Sequence, residues 1–186
     1  MTMNDKNREI GYFVFSLDTE LAWGSLWNQP HPKRTSQDGS RERETILRLL
    51  DIMDEFGVVA TWAITGHLFF KSCEKCAICS IMELKGKDSR FEIIRGSQSS
   101  MWYGADIVEL LHSRDSGHEI CFHGYSHRLF DTMTDVEARF EIQEWIKLAK
   151  RTGIVPLSVI FPQGRLGHLD LFAIGAGHLD LALAAA

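Results

Sequence analysis

No stretch of this sequence stays apolar for the roughly 20 residues that a membrane-spanning helix requires; the most apolar candidate, 171–186, is interrupted by Asp180. Met1 to Glu9 is polar and 10–17 reads as a core strand rather than the apolar heart of a leader, so the expected location is the cytoplasm. A long basic run is also missing. With a net charge of −5 and both signs interspersed, the surface is expected to suit neither nucleic acid nor anionic lipid, and the substrate is not expected to be a polyanion. Heptads and solenoid repeats are absent. Cysteine is sparse, four residues in 186, and without a leader these are not expected to pair as disulfides. The 45% of hydrophobic residues suffices for a single domain over 1–186 with a substantial core. Nothing in the sequence sets the oligomeric state.

Against that background the most informative stretch is His123-Gly124-Tyr125-Ser126-His127, which follows the apolar run Glu119-Ile120-Cys121-Phe122. It carries two imidazoles four residues apart, which can share one divalent cation. Far upstream, Phe13-Val14-Phe15-Ser16-Leu17-Asp18-Thr19-Glu20 reads as a second apolar strand that ends in two carboxylates. Their period-two spacing sends residues 18 and 20 to one face and residue 19 to the other. Two strand ends thus deliver two histidines and two acids. That is the part list of a mononuclear metal hydrolase, with three protein ligands, one open position and a spare carboxylate to move protons.

The rest of the chain alternates. Residues 21–40, with Gly24, Pro30, Pro32 and Gly39, read as a long loop beyond a strand end. A helix is expected over 41–56 from Ile46, Leu49, Leu50 and Met53, stopped by Gly57. A buried strand follows over 58–64, and 71–103 reads as a loop insertion over the site mouth. A short helix spans 105–112. Thr134-Asp135-Val136-Glu137 has the pattern of a capping box, opening a helix whose stripe is Ala138, Ile142, Trp145 and Ala149 and whose stop is Gly153. A fourth strand is expected over 157–161, closed by Pro162. This rhythm predicts an α/β fold with a parallel sheet and its chemistry at the carboxyl ends of the strands.

Three segments in this order, Phe15-Ser16-Leu17-Asp18-Thr19-Glu20-Leu21-Ala22-Trp23-Gly24, the HGYSH stretch and Phe161-Pro162-Gln163-Gly164, resemble the polysaccharide deacetylase family, carbohydrate esterase family four. The resemblance runs from about Gly11 to Asp170. It implies an irregular, incomplete (β/α) barrel that removes N- or O-linked acetyl groups from a sugar or polysaccharide, with a divalent metal, usually zinc, and a metal-bound water as nucleophile. Carried onto this chain, it makes Asp18 the general base and His123 and His127 metal ligands. The usual third ligand directly follows the base, where this chain has Thr19; members that space the two acids by one residue match Glu20 instead. The resemblance also implies a backbone N–H for the oxyanion in the turn after Pro162, which includes Gly164, and an Arg that orients the base, for which Arg165 is the nearest substitute in sequence.

The later motifs of that family, including the His that protonates the leaving amine, are not evident. The sequence ends instead in an atypical apolar tail over 171–186, and it reads as truncated or altered at the C-terminus, with the last strands of the barrel missing. His178 is a weak stand-in for the missing acid. Trp23, with Trp27, Trp102 and Tyr103, either stacks on a sugar ring or packs the lids, whereas Trp62 and Trp145 belong to the core. The Cys73-x-x-Cys76-x-x-Cys79 run is either a metal site, with Cys121 or a His as its fourth ligand, or three loop thiols, with Cys121 a buried strand thiol. Two other functions stay open: hydrolysis of another non-peptide carbon–nitrogen bond in a small molecule, and a catalytically inactive binding or structural module, with the Cys run as its candidate metal site.

Overall fold

The structure, a computed structural model, describes residues 13–25, 36, 38–72 and 100–172. Three parallel strands form its sheet in the order β1 (Ser16–Thr19), β2 (Thr61–Ile64), β3 (Glu119–Phe122). The register aligns Asp18 with Ala63 and Ala63 with Cys121. Each crossover carries a helix: α1 (Ser40–Phe56) and α2 (Ala105–Ser113) precede β2 and β3, and α3 (Asp135–Thr152) follows β3. The described residues form an α/β fold with parallel strands and helical cover, the class expected from the alternating rhythm, and it is of the incomplete (β/α) barrel type that the resemblance implies.

The helices begin and end where local chemistry dictates. Gly57, at φ 61°, takes the left-handed turn that stops α1, and Val58 donates its N–H back to the Met53 carbonyl at 2.8 Å. Thr134 and Glu137 form the reciprocal capping box of α3, and Gly153 at φ 75° ends it. Along α3, Ala138, Ile142, Trp145 and Ala149 are buried, and the Trp145 indole donates to the carbonyl of Ile64, the last residue of β2, at 2.7 Å. This bond anchors α3 to the end of the central strand. Trp62 is buried in the same core.

The strands are shorter than the apolar runs suggest. β2 starts at Thr61 rather than Val58, because the N–H of Val58 is spent on the cap of α1 and both Val58 and Val59 face solvent. β1 starts at Ser16; Phe13 and Val14 are 90% and 78% exposed. The strand expected over 157–161 is reduced to one bridge, Phe122 to Val159, with Phe122 N–H to Ser158 O at 3.3 Å and Ile160 N–H to Phe122 O at 3.0 Å. At its start the ladder is pre-empted by a side chain, since the Leu157 N–H donates to Glu119 Oε1 at 3.1 Å. Pro162, which has no N–H, closes its end.

Of the 71–103 insertion only the two ends are described, and Met101 and Tyr103 there are buried. Arg43 of α1 ties the second end down, donating to the carbonyls of Ser100 and Tyr103 at 2.8 Å each and pairing with Asp106 at 2.6 Å. The Cys73, Cys76 and Cys79 run, Trp27, His178 and 173–186 of the apolar tail lie outside the described residues. No helix among the described residues is long and apolar enough to cross a membrane.

Candidate metal centre

Glu20 directly follows β1 and His123 directly follows β3, so both stand at the carboxyl ends of the two parallel strands that flank β2. Their side chains meet. The Nε2 atoms of His127 and His123 both face Glu20 Oε2, the first in direct contact and the second at 3.3 Å. Asp18 Oδ2 lies 3.9 Å from His123 Nε2. Exposure grades outward: the side chains of His123 and His127 are 0% and 2% exposed, Glu20 28% and Asp18 51%. Thr19, on the other face of β1, is buried away from this group.

His123 is oriented by its other nitrogen. Its Nδ1 lies 2.8 Å from the Ile160 carbonyl, which can only accept, so Nδ1 carries a proton and Nε2 is the nitrogen that faces Glu20, a donor to the carboxylate when the ring is protonated and a metal ligand when it is neutral. The single bridge between Phe122 and Val159 is what brings that carbonyl alongside. His127 has no such brace: its Nδ1 is buried with no hydrogen-bond partner among the described residues. Its backbone is left-handed, at φ 58°, a conformation of order 1 kcal/mol unfavourable for a side-chain-bearing residue.

Glu20 in turn lies over Gly24. A Cβ built on Gly24 would fall 1.7 Å from Glu20 Oε1, so only glycine leaves the carboxylate its position. Burial opposes the charge of Glu20, but hydrogen bonds from His123 and His127, with their positive charge, outweigh it and hold the carboxyl at about 2 against an ordinary 4.5.

One carboxylate and two imidazole nitrogens, all within 4.8 Å of one another, make the mixed oxygen and nitrogen donor set that suits a divalent cation of the zinc type. The residues fit such an ion. Each offers a lone pair to a shared point, and the deepest ligand already has its tautomer set.

The other expected site residues are distributed as follows. Pro162 packs against the His loop, where a Cβ on Gly124 would meet Pro162 Cγ at 3.4 Å. The turn Pro162–Gly164 uses the N–H groups of Gly164 and Arg165 internally, to Phe161 O and Pro162 O at 2.9 and 3.2 Å. Gln163, left-handed at φ 54°, keeps the N–H that the turn does not use.

Arg165, the expected substitute for the base-orienting arginine, is paired elsewhere in this structure. Its guanidinium is held by Asp131, with Nε 2.8 Å from Oδ2. Among the described residues His123 is the basic group within 4 Å of the Asp18 carboxylate.

Trp23 is not an exposed stacking platform either. It is fully buried, its ring 4.0 Å from that of His67, and its Nε1 donates to Trp102 O at 2.8 Å. This is the packing alternative. Cys121 is buried in β3 beside Ala63, and burial pushes its thiol up to about 12.

Sequence reasoning passes over Gly24 as a positioning residue, leaves His67 without a role and passes over Glu141 altogether. Glu141 had a signal: it stands three residues after Ala138 and four before Trp145, a charge on the apolar stripe of α3.

A family model described as Polysaccharide deacetylase matches residues 35–170, a span that includes HGYSH and the Pro162 turn and begins after Glu20. No curated protein matches the chain at significance. Among solved structures, a CE4 family pseudoenzyme from Bacillus anthracis matches at 17% identity with a TM-score of 0.45, covering 82% of this chain and 36% of its own. The CE4 domain of a multidomain xylanase from the hindgut metagenome of Trinervitermes trinervoides matches at 15% and 0.40, over 83% and 49%. Puue allantoinase matches at 17% and 0.44, over 84% and 47%. The chain thus spans between about a third and a half of the length of these structures.

Proposed function

The chain belongs to the polysaccharide deacetylase family, and on that premise we propose that it is a metal-dependent hydrolase that removes acetyl groups from a sugar or glycan, with Glu20, His123 and His127 as metal ligands and Asp18 as general base. The observation that carries this reading is the convergence of one carboxylate and two imidazoles within 4.8 Å, with a second, half-exposed carboxylate 3.9 Å from His123.

An acetamide is a poor electrophile and water a poor nucleophile. A divalent cation held by the three side chains supplies the Lewis acidity that polarises the carbonyl and lowers the pKa of water towards about 7. The protein's own groups do the rest. Asp18, the most exposed of the four side chains, is open to solvent and substrate and accepts the proton of the attacking water. His123, its Nδ1 committed to Ile160, keeps its ring orientation while charge shifts beside it. The N–H of Gln163 is the donor offered to the developing oxyanion, in a turn that packs on the His loop.

A second reading, a chain that binds metal without turnover, is favoured by one observation: the arginine expected to orient the base is held by Asp131 instead. One experiment separates the two. Zinc- or cobalt-loaded protein is incubated with N-acetylglucosamine oligomers and acetate is quantified. Acetate release that a chelator abolishes supports the deacetylase; stoichiometric metal with no acetate from N- or O-acetylated sugars supports the silent module.

A further inference from the structure

Glu141 is the one fully buried carboxylate among the described residues, and it takes no part in the chemistry above. It stands on α3, and its side chain reaches into the loop that joins the two histidines. Oε2 accepts the backbone N–H groups of Tyr125 and Ser126 at 2.7 and 2.8 Å, and Oε1 accepts the Ser126 hydroxyl. The carbonyls of the same loop point the other way and are also taken, Gly124 O by the Gly66 N–H at 2.9 Å and Tyr125 O by the His67 N–H at 3.1 Å.

The loop needs this support more than most. It is left-handed at both Gly124 and His127, φ 73° and 58°, and left-handed residues with side chains persist only where their surroundings over-determine them. The two histidines also differ in how they are held. His123 is braced through its own ring by Ile160, whereas the Nδ1 of His127 has no partner among the described residues. The aim of the His127 ring is therefore set by its backbone, and the backbone just before it is set by Glu141.

Accordingly we propose that Glu141 is a positioning residue for the metal centre: by clamping the N–H groups of residues 125 and 126 it aims His127 at Glu20 and makes the three-ligand set convergent. This rests on the metal reading above and adds a fifth residue to its four, on a different element and acting through the His loop rather than as a ligand.

Two substitutions test the clamp. Glu141→Gln keeps an acceptor for the two N–H groups, and its amide N–H can donate to a rotated Ser126 hydroxyl. Glu141→Met has the same length and no acceptor, so two buried N–H groups are left unpaired. Zinc affinity by calorimetry is expected to stay within a few-fold of wild type in Glu141→Gln and to fall about 10- to 100-fold in Glu141→Met, the range for losing a group that orients a ligand. The metal-free proteins supply an independent readout. The ring resonances of His127 should move in Glu141→Met, with those of His123 moving less, while the amides of β1 and β2 stay in place.

If Glu141→Met does not fold, Glu141→Asp replaces it. Its carboxylate is withdrawn by one methylene and cannot serve both N–H groups, so the same losses are expected. A folded Glu141→Met or Glu141→Asp with unchanged zinc affinity and an unmoved His127 ring overturns the proposal. A wild-type protein that takes up no zinc, but whose His127 ring responds to Glu141→Met, supports the clamp and counts against the metal reading alone.

Discussion

The Nδ1 of His123 donates to the carbonyl of Ile160 across 2.8 Å, and this one hydrogen bond decides which ring nitrogen faces Glu20. It also explains why the lone bridge after α3 matters. Val159 pairs with Phe122 at a single point, yet that point lies next to the ligand and fixes its tautomer.

Gly24 guards the Glu20 carboxylate. In Gly24→Ala the new methyl would fall 1.7 Å from Glu20 Oε1. The atom displaced is the end of a flexible side chain, so the fold yields cheaply and the site does not. We expect a melting temperature within a few degrees of wild type and zinc affinity reduced about 10-fold or more, measured by thermal unfolding and calorimetry on the same samples.

Glu20 makes the metal-free protein acid-sensitive in a defined window. Its carboxyl titrates at about 2 when folded against an ordinary 4.5, so the unfolded chain binds the proton first as pH falls. The stabilisation is complete above about 4.5 and is lost as pH drops from there through about 2; allowing for screening of the exposed side, it is on the order of 2 kcal/mol. Urea midpoints of chelator-treated wild type and Glu20→Gln should converge over that window, which separates Glu20 from the other carboxylates.

Cys121 should be inert in the native state. It is buried in β3, and its thiol is pushed up to about 12, so thiolate is scarce at pH 8. Alkylation followed by peptide mass mapping should leave Cys121 unmodified in native protein and label it fully in denaturant.

Asp18 stands outside the ligand group, 3.9 Å from His123 and half exposed. Asp18→Asn should therefore keep zinc at wild-type stoichiometry while acetate release falls about 10² to 10⁴-fold. Loss of metal in this variant would move Asp18 into the ligand set.

The helices were legible because their signals are local. Thr134 and Glu137 cap α3 as the spacing requires, and Gly57 and Gly153 stop α1 and α3 as left-handed residues. The pairing of Asp18 with Glu20 and the HxxxH spacing were legible too, since a strand end aims alternate residues together.

What was not legible depends on partners far away in sequence. Val58 is β-branched and apolar, yet its N–H goes to Met53 and it leaves the sheet. Leu157 has a strand-like neighbourhood, but the Glu119 side chain takes its N–H. Trp23 sits in a turn after a strand, a plausible sugar platform until His67 covers its ring. Arg165 lies close to the Pro162 turn in sequence, while Asp131, 34 positions earlier, claims its guanidinium. Glu141 was readable in principle as an acid on an apolar stripe, but only the fold identifies the loop it serves.

The most direct test of the account is a zinc titration by calorimetry on wild type, Glu20→Gln and His123→Ala. A single zinc per chain is expected in wild type at the Glu20, His123 and His127 set. Binding should be lost in His123→Ala and weakened in Glu20→Gln by more than the about 100-fold that an outer partner costs. Zinc bound with unchanged affinity in both variants would contradict the account, since the ion would then be held by other residues.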